Sequence, residues 1–98
     1  MAKDAVTVAP HVYKVLLEND RVRVLDIRTQ PGGTSEMHAH PASVIYAVSD
    51  CTWLLTSDSG EEVRAEVKTG QTLFQEACTH KAKDVGTTGS HAIMVELK

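Results

Sequence analysis

Turn residues cut this 98-residue chain into short segments, and that punctuation limits its fold more than any other feature. Alternating, β-branched and apolar residues run over Tyr13 to Leu17, Arg21 to Thr29, Val44 to Val48, Cys51 to Thr56 and Gln71 to Gln75. Between such runs stand Glu18-Asn19-Asp20, Gln30-Pro31-Gly32-Gly33, Ser57-Asp58-Ser59-Gly60, Thr69-Gly70 and Gly86-Thr87-Thr88-Gly89. Turns recurring about every 8–12 residues mark an all-β sandwich or barrel. No segment carries a helical stripe. Val63, Ala65 and Val67 alternate with charged neighbours, the pattern of a half-buried antiparallel strand. Gly60 supplies the positive φ of a hairpin turn before it. Thr79 to Val85 reads as extended, and His91, Ile93, Val95 and Leu97 share one face of a last strand. Trp53, Tyr46 and Phe74 are expected in the core.

The chain is read as one domain over residues 1–98, with residues 1–10 an N-terminal arm or edge strand. Ten basic residues face 13 acidic ones, a net charge of -3, and no basic patch dominates, so nucleic acid is excluded as a partner. No apolar run reaches the length of a membrane span. Met1-Ala2-Lys3-Asp4 lacks a signal-peptide core, so a cytoplasmic location is expected. Cys51 and Cys78 are too far apart for a Cys-x-x-Cys motif and are expected as free thiols there. Neither a Ser–His–Asp ordering nor a phosphate-cradling glycine loop is present, which leaves hydrolase and kinase readings without support.

His38 and His40 carry the chemistry. Side chains two apart on a strand project the same way, so both imidazoles can converge on one ion. Gly32 and Gly33 turn the chain into this strand, and Pro41 marks its end or an irregularity. His80 lies on a strand distant in sequence, which a closed barrel can set across the interior from the pair. His91 reads as a core or pocket-rim residue. His11 belongs to the exposed arm.

Gly32, His38 and His40 match the G-x5-H-x-H opening of the first cupin motif residue for residue, and the chain resembles small single-domain members of the cupin superfamily. The glutamate of that motif falls at Val44 or Ile45 and is missing; its closing glycine is replaced by Cys51 or Thr52. Gly70 matches the start of the second motif. Glu76 and Cys78 stand for its proline and glycine, His80 comes one residue early, and Asp84 replaces its asparagine. The resemblance runs from about Val15 to Leu97.

It implies an all-β, antiparallel jelly-roll β-barrel of six to eight strands. It also implies a three-histidine metal centre of His38, His40 and His80, holding Fe, Ni, Zn, Mn or Cu. Three neutral imidazoles leave a divalent ion its full charge, which favours an anionic small-molecule ligand. Glu36 (on the same strand as His38), Glu76, His91 and Cys78 are candidates for the pocket or a fourth ligand. Cupins with such centres include dioxygenases, so two functions stand side by side. One is a metal-dependent dioxygenase or lyase acting on a small organic acid or diketone. The other is a metal-bearing small-molecule binding module without turnover. The resemblance further implies a homodimer.

Overall fold

The computed structural model describes residues 3–98. Ten strands and one short helix follow the punctuation of the sequence closely. They are β1 (Lys3–Asp4), α1 (Ala5–Val8), β2 (Tyr13–Glu18), β3 (Val22–Thr29), β4 (Thr34–His40) and β5 (Ser43–Ala47). After these come β6 (Cys51–Ser57), β7 (Glu62–Val67), β8 (Thr72–Gln75), β9 (Cys78–Asp84) and β10 (Ser90–Leu97). The helix escapes the sequence pattern because four residues cannot display a period. Asp4 caps it by accepting the Val6 N–H at 3.1 Å. Within the arm expected over residues 1–10, β1 is an edge strand; Met1 and Ala2 lie outside the described residues.

The strands form two five-stranded sheets, β1-β4-β9-β6-β7 and β2-β3-β10-β5-β8. All ladders are antiparallel except β1 on β4. The count exceeds the six to eight expected; β8 falls within the Gln71 to Gln75 run and β1 within the arm. The barrel is not closed. Each sheet keeps its own edges, β1 and β7 in one, β2 and β8 in the other.

Alternation decides what lies between the sheets. Leu25, Ile27, Ile45, Ala47, Ala92 and Met94 come from one sheet, Cys51, Trp53 and Val67 from the other. Ala5, Ala9 and Val12 close one flank. Tyr46 and Phe74, expected in the core, instead face solvent at 47% and 55% exposure. Tyr46 lies in the unbroken apolar run Val44 to Val48 and Phe74 directly follows Leu73, so neither stretch alternates to say which face turns inward; Ile45 and Leu73 take the interior and their neighbours point out. The outer face of this sheet carries an apolar row in register across all five strands: Leu17, Val24, Val95, Val44 and Phe74.

No helix among the described residues is long and apolar enough to cross a membrane. Cys51 and Cys78 are free, the first buried and the second half-buried.

Candidate metal centre

The loop ahead of β4 aims the histidine strand. Gly32 adopts φ +81, a region that side chains rarely enter, and its N–H reaches the Asp84 carbonyl at 2.8 Å. Asp84 N–H returns a bond to Gly33 at 2.9 Å, so the start of β4 is pinned to the end of β9. Further along, the two strands pair His38 with His80 and His40 with Cys78. His38 and His80 are therefore direct cross-strand neighbours, where the sequence reading set them across the barrel interior. All three imidazoles lie within one sheet, with ring centroids 4.7–5.2 Å apart. One donor atom from each falls within 4.8 Å of the others, and all three residues are buried.

A β-bulge explains which residues join them. Between Ser35 and His38 the β4 strand spends three steps against two in β9. Ser35 and His38 consequently both point inward, and Glu36 is turned out to solvent. Simple alternation places Glu36 beside His38; the extra residue cancels that. Glu76 is exposed in the turn between β8 and β9. His91 lies on the outward face of β10, where its Nε2 bonds Asp26 at 2.6 Å. Neither of these side chains, nor that of Glu36, meets the three histidines; Glu36 touches His38 through its backbone carbonyl alone. Cys78 does approach: its sulfur is 3.7 Å from His80 Nδ1 and accepts from Gln75 at 3.1 Å. Burial raises the Cys78 thiol pKa. His11 is exposed in the arm, as expected, with Nε2 on the Thr34 carbonyl at 3.0 Å.

The opposite sheet supplies two partners that sequence reasoning missed. Glu96, on the inward face of β10 and almost wholly buried, takes the His40 Nδ1 proton into a hydrogen bond at 2.8 Å. Arg23 Nε donates to the other Glu96 oxygen at 2.7 Å, and its guanidinium is shared with Asp4. Tyr13, the first residue of β2, places its hydroxyl 3.1 Å from His38 Nε2. One signal was available for Glu96. If His91, Ile93, Val95 and Leu97 share one face, then Glu96 lies on the other with Ala92 and Met94.

These contacts set the tautomers. Glu36 carbonyl and Glu96 carboxylate oxygens only accept, so His38 and His40 carry their protons on Nδ1 and each keeps a lone pair on Nε2, which in His38 accepts from the Tyr13 hydroxyl. Metal-binding histidines are oriented in this way by carbonyl and carboxylate partners. Burial lowers the His38 pKa, and burial together with His40 and His38 lowers that of His80 to about 4. Both rings are thus neutral at pH 7. His40 Nε2 is buried and meets no hydrogen-bond partner. Leaving such an atom unpaired costs on the order of 1–3 kcal/mol. A lone pair without a proton to accept, facing two further imidazoles, is the donor set that a divalent transition ion fits.

Beside the cluster lies a cavity of about 40 Å³, walled by Tyr13, Ile45, Trp53, Leu55, Gln75 and His80 among others. Its lining is mostly apolar, and Ile45, in one of the two positions of the missing carboxylate, is one of the walls.

No protein-family profile matches the sequence, and no curated protein does. Solved structures match it well. A cupin domain from Bordetella pertussis Tohama I is 23% identical over 100% of this chain and 97% of its own, with a TM-score of 0.80. An RmlC-like cupin from Methanocaldococcus jannaschii, described as a double-stranded β-helix, is 14% identical over 88% and 78%, with a TM-score of 0.68. An RmlC-like cupin from Shewanella frigidimarina is 22% identical over 87% and 73%, with a TM-score of 0.60. Two facing five-stranded sheets, superposable on the Bordetella domain along the whole chain and on the other two over 87–88% of it, give this chain the cupin fold.

Proposed function

We propose that the protein binds a divalent transition metal between its sheets through His38, His40 and His80, and presents it to a small anionic ligand. The buried, unpartnered Nε2 of His40 is the observation that carries this reading. His38 and His40 are held as ligands by Glu36 and Glu96, and the lowered His80 pKa keeps that ring free of a competing proton. When bound, the metal supplies Lewis acidity and open coordination positions. Imidazole suits zinc, copper, iron and nickel, so the ligand set does not choose among them.

Enzymatic use of the site, as a dioxygenase or lyase on a small organic acid or diketone, is one form of this proposal. The other form is a binding module without turnover, and in either form the cavity bears on ligand size. About 40 Å³ holds a few water-sized groups, whereas sites for larger organic ligands span roughly 300–1,000 Å³. A diketone therefore needs the cavity walls to move; a small anion does not. A homodimer and a cytoplasmic location belong to the same reading. The apolar outer row supports the first and two free cysteines the second.

Metal content of the purified protein, measured beside His40→Ala and His80→Ala, tests the site. About one ion per chain in the parent and little in either variant is the expected result. Equal metal in all three sinks it. Oxygen uptake with a panel of diketones, thiol acids and short-chain acids then separates catalyst from binder.

A further inference from the structure

We propose that Tyr13 is the fourth protein donor of this centre, its phenolic oxygen standing in for the carboxylate missing at Val44 or Ile45. The inference rests on the three-histidine reading above and adds a ligand from the opposite sheet. Tyr13 is firmly placed. Its N–H bonds the Ala9 carbonyl at 3.0 Å, it pairs with Ile27 in β3, and its side chain is buried.

The distance is the first argument. Tyr13 oxygen and His38 Nε2 are 3.1 Å apart. Two donors bound to one ion at about 2.0–2.1 Å stand about 2.9 Å apart at right angles and about 3.3 Å apart in a tetrahedron. The observed spacing lies between these values. The Tyr13 ring is also centred 5.2 Å from both the His38 and His40 rings, so it faces the cluster and not a single member.

Hydrogen-bond accounting is the second. In the metal-free protein the hydroxyl donates to the His38 Nε2 lone pair, its one side-chain partner. An ion that takes this lone pair removes that partner. A buried phenol left alone carries an unsatisfied-group penalty, and binding the same ion relieves it. On coordination the O–H bond breaks, its proton leaves to solvent, and an oxygen–metal bond forms. The phenolate then cancels one unit of the ion's charge, which three neutral imidazoles cannot do. Proton release of this kind accompanies metal binding generally. Ile45 faces the same cavity and has no donor to offer.

Ferric iron is a suitable probe, because phenolate bound to iron(III) absorbs in the visible and enhances tyrosine modes in resonance Raman spectra. The full chain loaded with iron(III) should be coloured, and the band should vanish in Tyr13→Phe and persist in Tyr46→Phe, whose ring faces solvent. Chelator competition should show zinc bound at least about tenfold more weakly by Tyr13→Phe. Iron held stoichiometrically by the parent chain without the band or the Raman modes overturns the proposal. So does zinc bound equally or more tightly by Tyr13→Phe, which would make the hydroxyl a competitor for His38. The Raman readout uses the parent protein, so it stands even if the variant folds poorly. A folded parent chain that binds neither metal overturns the three-histidine reading itself, and this proposal with it.

Discussion

Glu96 shows how much one side chain can settle. It fixes the His40 proton on Nδ1, neutralises Arg23, and through that guanidinium touches Asp4 in β1. Replacing it with alanine strands the buried His40 and the half-buried Arg23 at once, and loss of one member of a buried pair costs about 3–5 kcal/mol. Glu96→Gln keeps the shape and should fold, while metal affinity falls about 10–100-fold. Titration of both variants with zinc, alongside urea unfolding, checks the pair of outcomes. His80 makes a second prediction at this scale. Its pKa is 6.5 in the unfolded chain and about 4 in the folded one. Between those values the unfolded chain binds the extra proton, so unfolding gains ground as pH falls. Metal-free protein should therefore lose roughly 3 kcal/mol between about pH 6.5 and pH 4 from this group. His38 shifts in the same direction and adds to it. Urea midpoints at pH 7 and pH 5 test this; a flat profile for the apo protein contradicts it.

Among the elements, β4 matters most, because one extra residue decides its inward set. The bulge turns Glu36 to solvent, so Glu36→Gln and Glu76→Gln should leave metal stoichiometry unchanged. Loss of metal in either would mean that the strand register is misassigned. Gly32→Ala should cost about 1–2 kcal/mol, since its φ of +81 penalises any Cβ even in open space; thermal unfolding measures it. Much of this layer was legible beforehand. Turn chemistry located the strands, and alternation put His38 with His40 and Cys78 with His80 on shared faces. The bulge was not legible, because a residue's partner on the neighbouring strand depends on pairing that local pattern does not encode. Tyr13 and Glu96 escaped for a related reason. They reach the histidines across the gap between sheets, and no spacing in the chain measures that gap. The apolar run around Tyr46 and the adjacent pair Leu73-Phe74 misled for want of alternation.

For the whole molecule, the apolar row Leu17, Val24, Val95, Val44 and Phe74 is the surface proposed to meet a second copy. Val95→Glu, at the centre of that row, should convert a dimer to a monomer by sedimentation velocity while the metal content stays the same. A parent chain already monomeric at high concentration refutes the dimer. The architecture also has a consequence for timing. Imidazoles hang from one sheet, and the groups that aim or cap them hang from the other. Anything that wedges the sheets apart slackens Glu96 and Tyr13 in a single movement. The sandwich thus behaves as a clamp, and a bulky visitor to the cavity should hasten departure of the ion that drew it in.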